Sequence, residues 1–198
     1  YGYRYLQLNY SEYEHKFFTS KLGIKDNGIG AFNSDEIFTI VSCSNVISLK
    51  RVEKTPDILS QLQFPIRWIH IGSGNRMEVL KKKINSLPQH ISVELKGQLN
   101  NSEVIDFYKK QHVNVFLHLS ESEGGVPVSI QEATSFGIPV ISCKAGGVPE
   151  VVNDDLGVLL EVNFSIEEVA FELMKLKKSS KNTMEHRKSV RAKTLKNF

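Results

Sequence analysis

The chain has 198 residues, 40% of them hydrophobic and 24% charged, with a formal net charge of +3. That length and balance suit one α/β domain with a sizeable core. They exclude a bilayer-crossing helix, since no apolar run reaches the roughly 18 residues required, and no signal-peptide pattern opens the chain.

Residues 1–35 show no clean apolar period, and Ser20 to Gly30 is rich in turn residues, so this stretch reads as a linker or edge remnant. From residue 36 the pattern becomes regular. Ile37 to Ser42 is a β-branched strand, and the loop after it, Cys43 to Lys54, carries Lys50 and Arg51. A helix near Pro56 follows. Ile66 to Ile71 is the second strand, running into Gly72-Ser-Gly74. Met77, Leu80, Ile84 and Leu87 recur at helical spacing. Ile91 to Leu95 is the third strand, ending at Gly97. Ser102 is the expected cap of a helix that buries Val104, Phe107 and Tyr108. Val113 to Leu119 is the fourth strand. An acidic glycine loop, Ser120 to Val126, then feeds a helix with Pro127 expected as its first residue and Gly137 as its stop. Two further strands, Pro139 to Ser142 and Gly157 to Leu160, precede a last apolar stripe of Ile166, Val169, Ala170, Leu173 and Met174, capped near Ser165.

Strands alternating with helices predict a Rossmann-like, doubly wound parallel sheet over residues 36–175. Such sheets bind ligands at the carboxyl ends of their strands. The loops expected there hold most of the glycine and polar punctuation. Residues 176–198 are expected as a basic helix or tail, since residues 175–198 hold nine Lys or Arg against one Glu. Solvation, a membrane surface and nucleic acid are the three uses of such a tail, and the interleaved aromatics of a nucleic-acid platform are missing.

The loop before the fifth helical segment is the richest in chemistry. Free N–H groups at a helix start attract phosphates, and the Gly124-Gly125 pair allows close approach to the backbone. Glu132, one and a half turns along, is placed to accept hydrogen bonds from sugar hydroxyls beside a bound phosphate. Lys50 and Arg51 would neutralise a diphosphate and stabilise it as a leaving group. Gly72 and Gly74 form either a tight βα turn or a nucleotide-facing loop. Glu121, Glu123 and Glu132 raise glycoside hydrolysis as an alternative, and Glu121 and Glu123 are equally read as solvated loop acids. His118 reads as a pocket wall. Cys43 and Cys143 make no disulfide framework and read as reduced thiols at strand ends in a cytosolic protein. The histidines show no metal-ligand spacing, so no metal and no cofactor are expected.

With those residues in view, Ser120 to Val152 resembles the donor-binding signature of family four glycosyltransferases, retaining enzymes of the two-domain GT-B fold. Glu132-Ala, Gly137-Ile-Pro-Val140 and Gly146-Gly-Val-Pro-Glu150 match that signature in order and spacing. The resemblance implies that Glu132 holds the nucleotide ribose and that Gly72 and Gly74 supply the glycine turn. Gly97, Gln98 and Leu99 would frame the base, and Lys50 would meet the diphosphate. Gly124, Gly125, Val126 and Val128 form the helix start that receives it. The signature departs in two places. Its first Glu falls on Gly124, with Glu123 one residue early, and its paired Arg falls on Asn45, with Arg51 as the nearby substitute. Glu123, Lys50 and Arg51 are accordingly the candidate catalytic residues.

The resemblance further implies a UDP- or GDP-sugar donor, a glycan or lipid-linked acceptor, and an N-terminal acceptor domain missing from this chain. Metal-independent transfer in the cytoplasm would serve surface polysaccharide synthesis, capsule or lipopolysaccharide, with the basic tail at the inner face of the plasma membrane. The isolated chain would transfer poorly. A non-catalytic nucleotide-binding regulatory module and an NDP-sugar epimerase are the alternatives.

Overall fold

The computed structural model describes residues 2–20, 22–33, 37–179 and 183–197. Of the expected division at residues 35 and 175, positions 1, 21, 34–36, 180–182 and 198 therefore lie outside the described residues. A single six-stranded sheet runs in the order β3-β2-β1-β4-β5-β6, and every strand pair is parallel. The strands are β1 (Phe38–Cys43), β2 (Ile66–Ile71), β3 (Ile91–Gly97), β4 (Val115–His118), β5 (Val140–Cys143) and β6 (Gly157–Leu160). The order reverses between β1 and β4, the switch point at which a doubly wound sheet opens a crevice.

Neighbouring residues of the inner strands serve opposite faces, as the period of two requires. Ile40, Trp68, Leu117 and Ile141 join one core. Val41, Ile69, Phe116 and Val140 join the other. The first core is closed by α2 (Thr55–Leu59), α3 (Met77–Ile84) and α6 (Ile166–Lys178), through Ile58, Leu59, Leu80, Val169 and Leu173. The second is closed by α4 (Asn101–Lys110) and α5 (Val128–Ser135), through Val104, Phe107, Tyr108, Ile130 and Ala133. With these elements assigned, the doubly wound parallel sheet expected from the alternation is the observed fold.

Three local expectations shift. The cap of α4 is Asn100, whose side chain accepts from the Glu103 N–H at 3.0 Å while the Glu103 carboxylate accepts from the Asn100 N–H at 2.7 Å. Ser102 instead donates to the Asn100 side chain at 2.6 Å. The reciprocal box satisfies two helix-end donors at once, which Ser102 could not do from inside the first turn. Pro127 is the extended residue before α5 rather than its first residue. On α6 the buried stripe runs through Leu176, and Met174 is exposed.

The first residues hold more structure than a linker. α1 (Gly2–Asn9) and a 3-10 helix (Ser11–Lys16) form there, and neither buries a residue. Residues 28–33 lie against the body, with the Gly30 N–H donating to the Phe136 carbonyl at 2.9 Å. The basic C-terminal segment is likewise part of the fold. α7 (Met184–Asn197) packs along α5, burying Arg187, Val190 and Thr194. Arg187 donates to the Val113 carbonyl at 2.8 Å and lies over the Phe32 ring, and burial lowers its pKa to about 10. Arg191 pairs with Asp26 and Lys193 with Asp155. No helix among the described residues is long and apolar enough to cross a membrane.

Candidate donor site at the switch point

A cavity of about 380 Å³ opens where β1, β2 and β4 end. Its wall brings together Lys50, Gly72, Gln98, Leu99, Glu123 and Val128, all expected there, with His118 as the expected wall residue, and adds Asn45 and Ser129. They come from the carboxyl ends of β1, β2, β3 and β4 and from the start of α5, so the sheet topology assembles the site.

The floor depends on glycine. Gly72 has a φ of 136°, and a Cβ there would collide with the Ser44 carbonyl. A Cβ on Gly74 would strike the Val46 backbone. The two loops are laced by Ser44 N–H to Ile71 O at 3.0 Å and Val46 N–H to Ser73 O at 2.9 Å. The tight-turn reading therefore describes Gly74, which does not line the cavity, whereas Gly72 both packs and lines it. Gly97 adopts a φ of 68°, accepts from the Gly72 N–H at 2.7 Å, and leaves Gln98 and Leu99 on the cavity wall.

Glu123 is the electrostatic centre. Its carboxylate pairs with Lys50 from the β1 loop and with Nε2 of His118 at 2.7 Å. Burial by itself would push the Glu123 carboxyl up, but hydrogen bonds from His118 and Lys50 outweigh it and hold the pKa at about 2. The acid is thus ionised at neutral pH. Lys50 is only 19% exposed at its side chain, so the pair is partly desolvated and stronger than a surface bridge. His118 is more than a wall: as the last residue of β4 it anchors the acid. Its sequence signal was its place at a strand's carboxyl end.

Arg51 does not join this group. It is the one non-glycine residue with positive φ among the described residues, at 51°. Its guanidinium donates to the Leu119 carbonyl at 2.7 Å and the Val162 carbonyl at 2.8 Å, and lies 4.7 Å over the Phe164 ring. Those contacts commit it to tying loops together. Asn45 lines the cavity as a neutral side chain, so Lys50 is the sole Lys or Arg on the described lining.

The helix that closes the cavity is uncapped. No side chain caps the start of α5 and no acid sits in its first turn, where Val128 and Ser129 line the cavity. Unpaired N–H groups and the helix dipole there favour an anion. Glu132, one turn on, is 8% exposed and accepts a hydrogen bond from Asn101. Burial raises its pKa, and the Asn101 bond offsets this only in part. Glu132 faces a neighbouring cavity of about 500 Å³, shared with Asn101 and Gln131 and separated from the first by Val128. Gly124 and Gly125 lie on the outer side of the Glu123 loop, and Val126 is turned towards the small core of Val151, Leu156 and Val190.

The second glycine pair buttresses the loop. A Cβ on Gly146, whose φ is 53°, would collide with the Glu123 carbonyl, and one on Gly147 would stand 2.7 Å from the Gly125 carbonyl carbon. Cys43 and Cys143 are free, and burial pushes their thiols up to about 12 and about 11, which leaves both as inert thiols at neutral pH. Among the described residues no group of three or more His, Cys, Asp or Glu is arranged to hold a metal ion.

Several known proteins to which this chain is similar are glycosyltransferases. The phosphatidylinositol N-acetylglucosaminyltransferase gpi3 subunit of Schizosaccharomyces pombe is 30% identical over 122 residues, covering 60% of this chain and 26% of that protein. Sulfoquinovosyl transferase SQD2 of Arabidopsis thaliana is 31% identical over 107 residues, 52% of this chain and 20% of that one. The chain spans about a quarter of the length of the first of these relatives. Among solved structures, the lipopolysaccharide outer core galactosyltransferase WaaB superposes with a TM-score of 0.72 at 22% identity, over 89% of this chain and 52% of that one. Anabaena Alr3699/HepE in complex with UDP-glucose superposes with a TM-score of 0.68 at 22% identity, over 81% and 44%. These likenesses show the GT-B type of fold. A family model, glycosyl transferases group 1, matches residues 33–196, and the chain belongs to that family.

Proposed function

We propose that this chain is the nucleotide-sugar-binding, C-terminal half of a retaining family four glycosyltransferase. The observation that carries the reading is the meeting of Lys50, Glu123 and the uncapped start of α5 at one cavity on the sheet's switch point. A UDP- or GDP-sugar would lay its diphosphate between Lys50 and the N–H groups of Val128 and Ser129. Its ribose would turn towards Glu132, and its base towards Gln98 and Leu99. The sugar would then face Glu123, an ionised acceptor for its hydroxyls. As the bond from the anomeric carbon to the diphosphate breaks, the electron pair leaves with the diphosphate. Lys50 and the helix start stabilise that charge without a metal. A bond forms from the anomeric carbon to an acceptor hydroxyl oxygen, whose proton passes to the departing phosphate. That UDP and UDP-glucose occupy the Anabaena relative supports the donor class.

The acceptor, a glycan or a lipid-linked sugar, would be presented with the help of an N-terminal domain, in the cytoplasm, and the isolated chain would transfer slowly. Surface polysaccharide synthesis is the biological setting proposed. Calorimetric titration of the chain with UDP, GDP and UDP-glucose tests the reading. Saturable binding that weakens about tenfold in Glu132→Ala is expected, since one hydrogen-bonded charge contributes about that much. Absence of binding to any of the three ligands would overturn it. Sugar interconversion without an acceptor would instead indicate an epimerase.

A further inference from the structure

The loop from Glu123 to Pro127 has two sides. Glu123 and Pro127 line the donor cavity. Gly124 and Gly125 line a second cavity of about 620 Å³, whose other wall is α1 and the residues following the 3-10 helix. We propose that this second cavity receives the sugar ring of the acceptor. The inference rests on the donor reading above and adds the acceptor's place and chemistry.

Three observations carry it. First, nothing in the fold asks for glycine at 124 or 125. Neither has a positive φ, and a Cβ on either would meet no atom within 4 Å. The contrast is with Gly146 and Gly147, where a Cβ would collide with this same loop. Side chains at 124 and 125 would project into open space, so the pair keeps that space free between the two cavities.

Second, the opposite wall is aromatic without serving a core. Tyr3 and Phe17 stand edge to face at 6.3 Å and 84°, with Phe18 beside them on the lining. α1 and the 3-10 helix bury no residue, and Phe18 is 86% exposed. Aromatic faces at a pocket with a few polar groups are suited to the C–H face of a pyranose. Third, the polar groups present are those that hydrogen-bond hydroxyls: Lys16, Thr19 and Ser20 on one wall and Glu150 on the other. A ring held there would point a hydroxyl across Gly124 and Gly125 towards the donor's anomeric carbon.

A free glycan and a glycolipid headgroup share this ring chemistry. Saturation-transfer NMR on the full chain, with UDP bound, separates them by using methyl glucoside and octyl glucoside as probes. Magnetisation transfer to the pyranose protons of both at similar strength supports a soluble acceptor site. Magnetisation transfer much stronger for the octyl glucoside supports a headgroup site. The double variant Tyr3→Ala, Phe17→Ala should weaken glucoside binding about fivefold or more, the value of losing one aromatic contact, with the melting temperature and UDP affinity unchanged. Gly125→Leu, which fills the space, should also abolish the glucoside signal. Wild-type chain that binds UDP but gives no signal with either glucoside, or variants that leave the signal intact, would overturn the inference alone. Failure of the wild type to bind UDP would overturn the donor reading beneath it.

Discussion

Lys50 and Arg51 are neighbours in sequence and do opposite work. Lys50 reaches Glu123 and lines the proposed donor cavity. Arg51, turned by a left-handed backbone, grips the carbonyls of Leu119 and Val162 beneath the loops. The difference follows from side-chain chemistry. A guanidinium offers several donors in a fixed plane and stacks on a ring, so it suits a buried tie between loops. An ammonium is a mobile point charge, so it can exchange one anionic partner for another. Lys50 can therefore leave Glu123 for a phosphate, whereas Arg51 cannot move without orphaning two carbonyls.

The largest effect should come from breaking the structural partner. Arg51→Ala should lose about 3 kcal/mol of stability in denaturant melts, since it strands buried acceptors. Arg51→Lys should recover little of this. A variant that melts normally but loses UDP binding would reverse the roles assigned to the two cations. Gly146→Ala comes next. It needs a backbone conformation that disfavours Cβ and pushes into Glu123, so about 1–3 kcal/mol of destabilisation is expected. A weakened Lys50–Glu123 contact should follow, read from lost UDP-sugar affinity. Lys50→Ala should weaken UDP by about tenfold, the value of one charge-assisted bond, and should lower stability in the melt by about 1 kcal/mol because Glu123 loses its Lys50 partner and keeps His118. Equal UDP affinity in Lys50→Ala and wild type would remove Lys50 from the donor site.

The last effect concerns pH. The Glu123 carboxyl has a folded pKa of about 2 against an ordinary 4.5. A depressed carboxyl contributes stability that is present above the unfolded pKa and is lost as pH falls through the folded one. Acid titration of stability should therefore show a component between about 4.5 and about 2 that Glu123→Gln lacks. Superimposable titrations would mean that the His118 and Lys50 contacts do not hold in solution.

Most of the sheet was legible in the sequence because its strands are β-branched runs separated by glycine turns, and burial on both faces leaves little choice for them. The loop before α5 and the start of that helix were legible because those features are local, but it was not legible that Gly124 and Gly125 lie on the outer side of the loop and Glu132 on a neighbouring cavity. Arg51 was not legible, because a charge on a loop has the same sequence whether its backbone turns left or right. Nor was the partner of His118, which lies five residues away across the loop's fold. Nor did the one-residue offset of Glu123 from the family signature show which groups its carboxylate meets. The carboxylate still reaches Lys50, with Gly146 closing against its carbonyl. Asn100 beat Ser102 as a cap because a reciprocal pair with Glu103 outweighs a single bond.

The C-terminal helix has a consequence for how the molecule is made. Arg187, Val190 and Thr194 leave the ribosome after all six strands of the sheet, yet α7 lies directly on α5, whose first turn lines the proposed donor cavity. Until residues 184–197 have been synthesised, α5 lacks its outer support and the Phe32 ring lacks the Arg187 guanidinium over it. A nascent chain stalled before that point would have a finished sheet and an unsupported α5, so ligand capture at the proposed site should appear only after the sheet is complete.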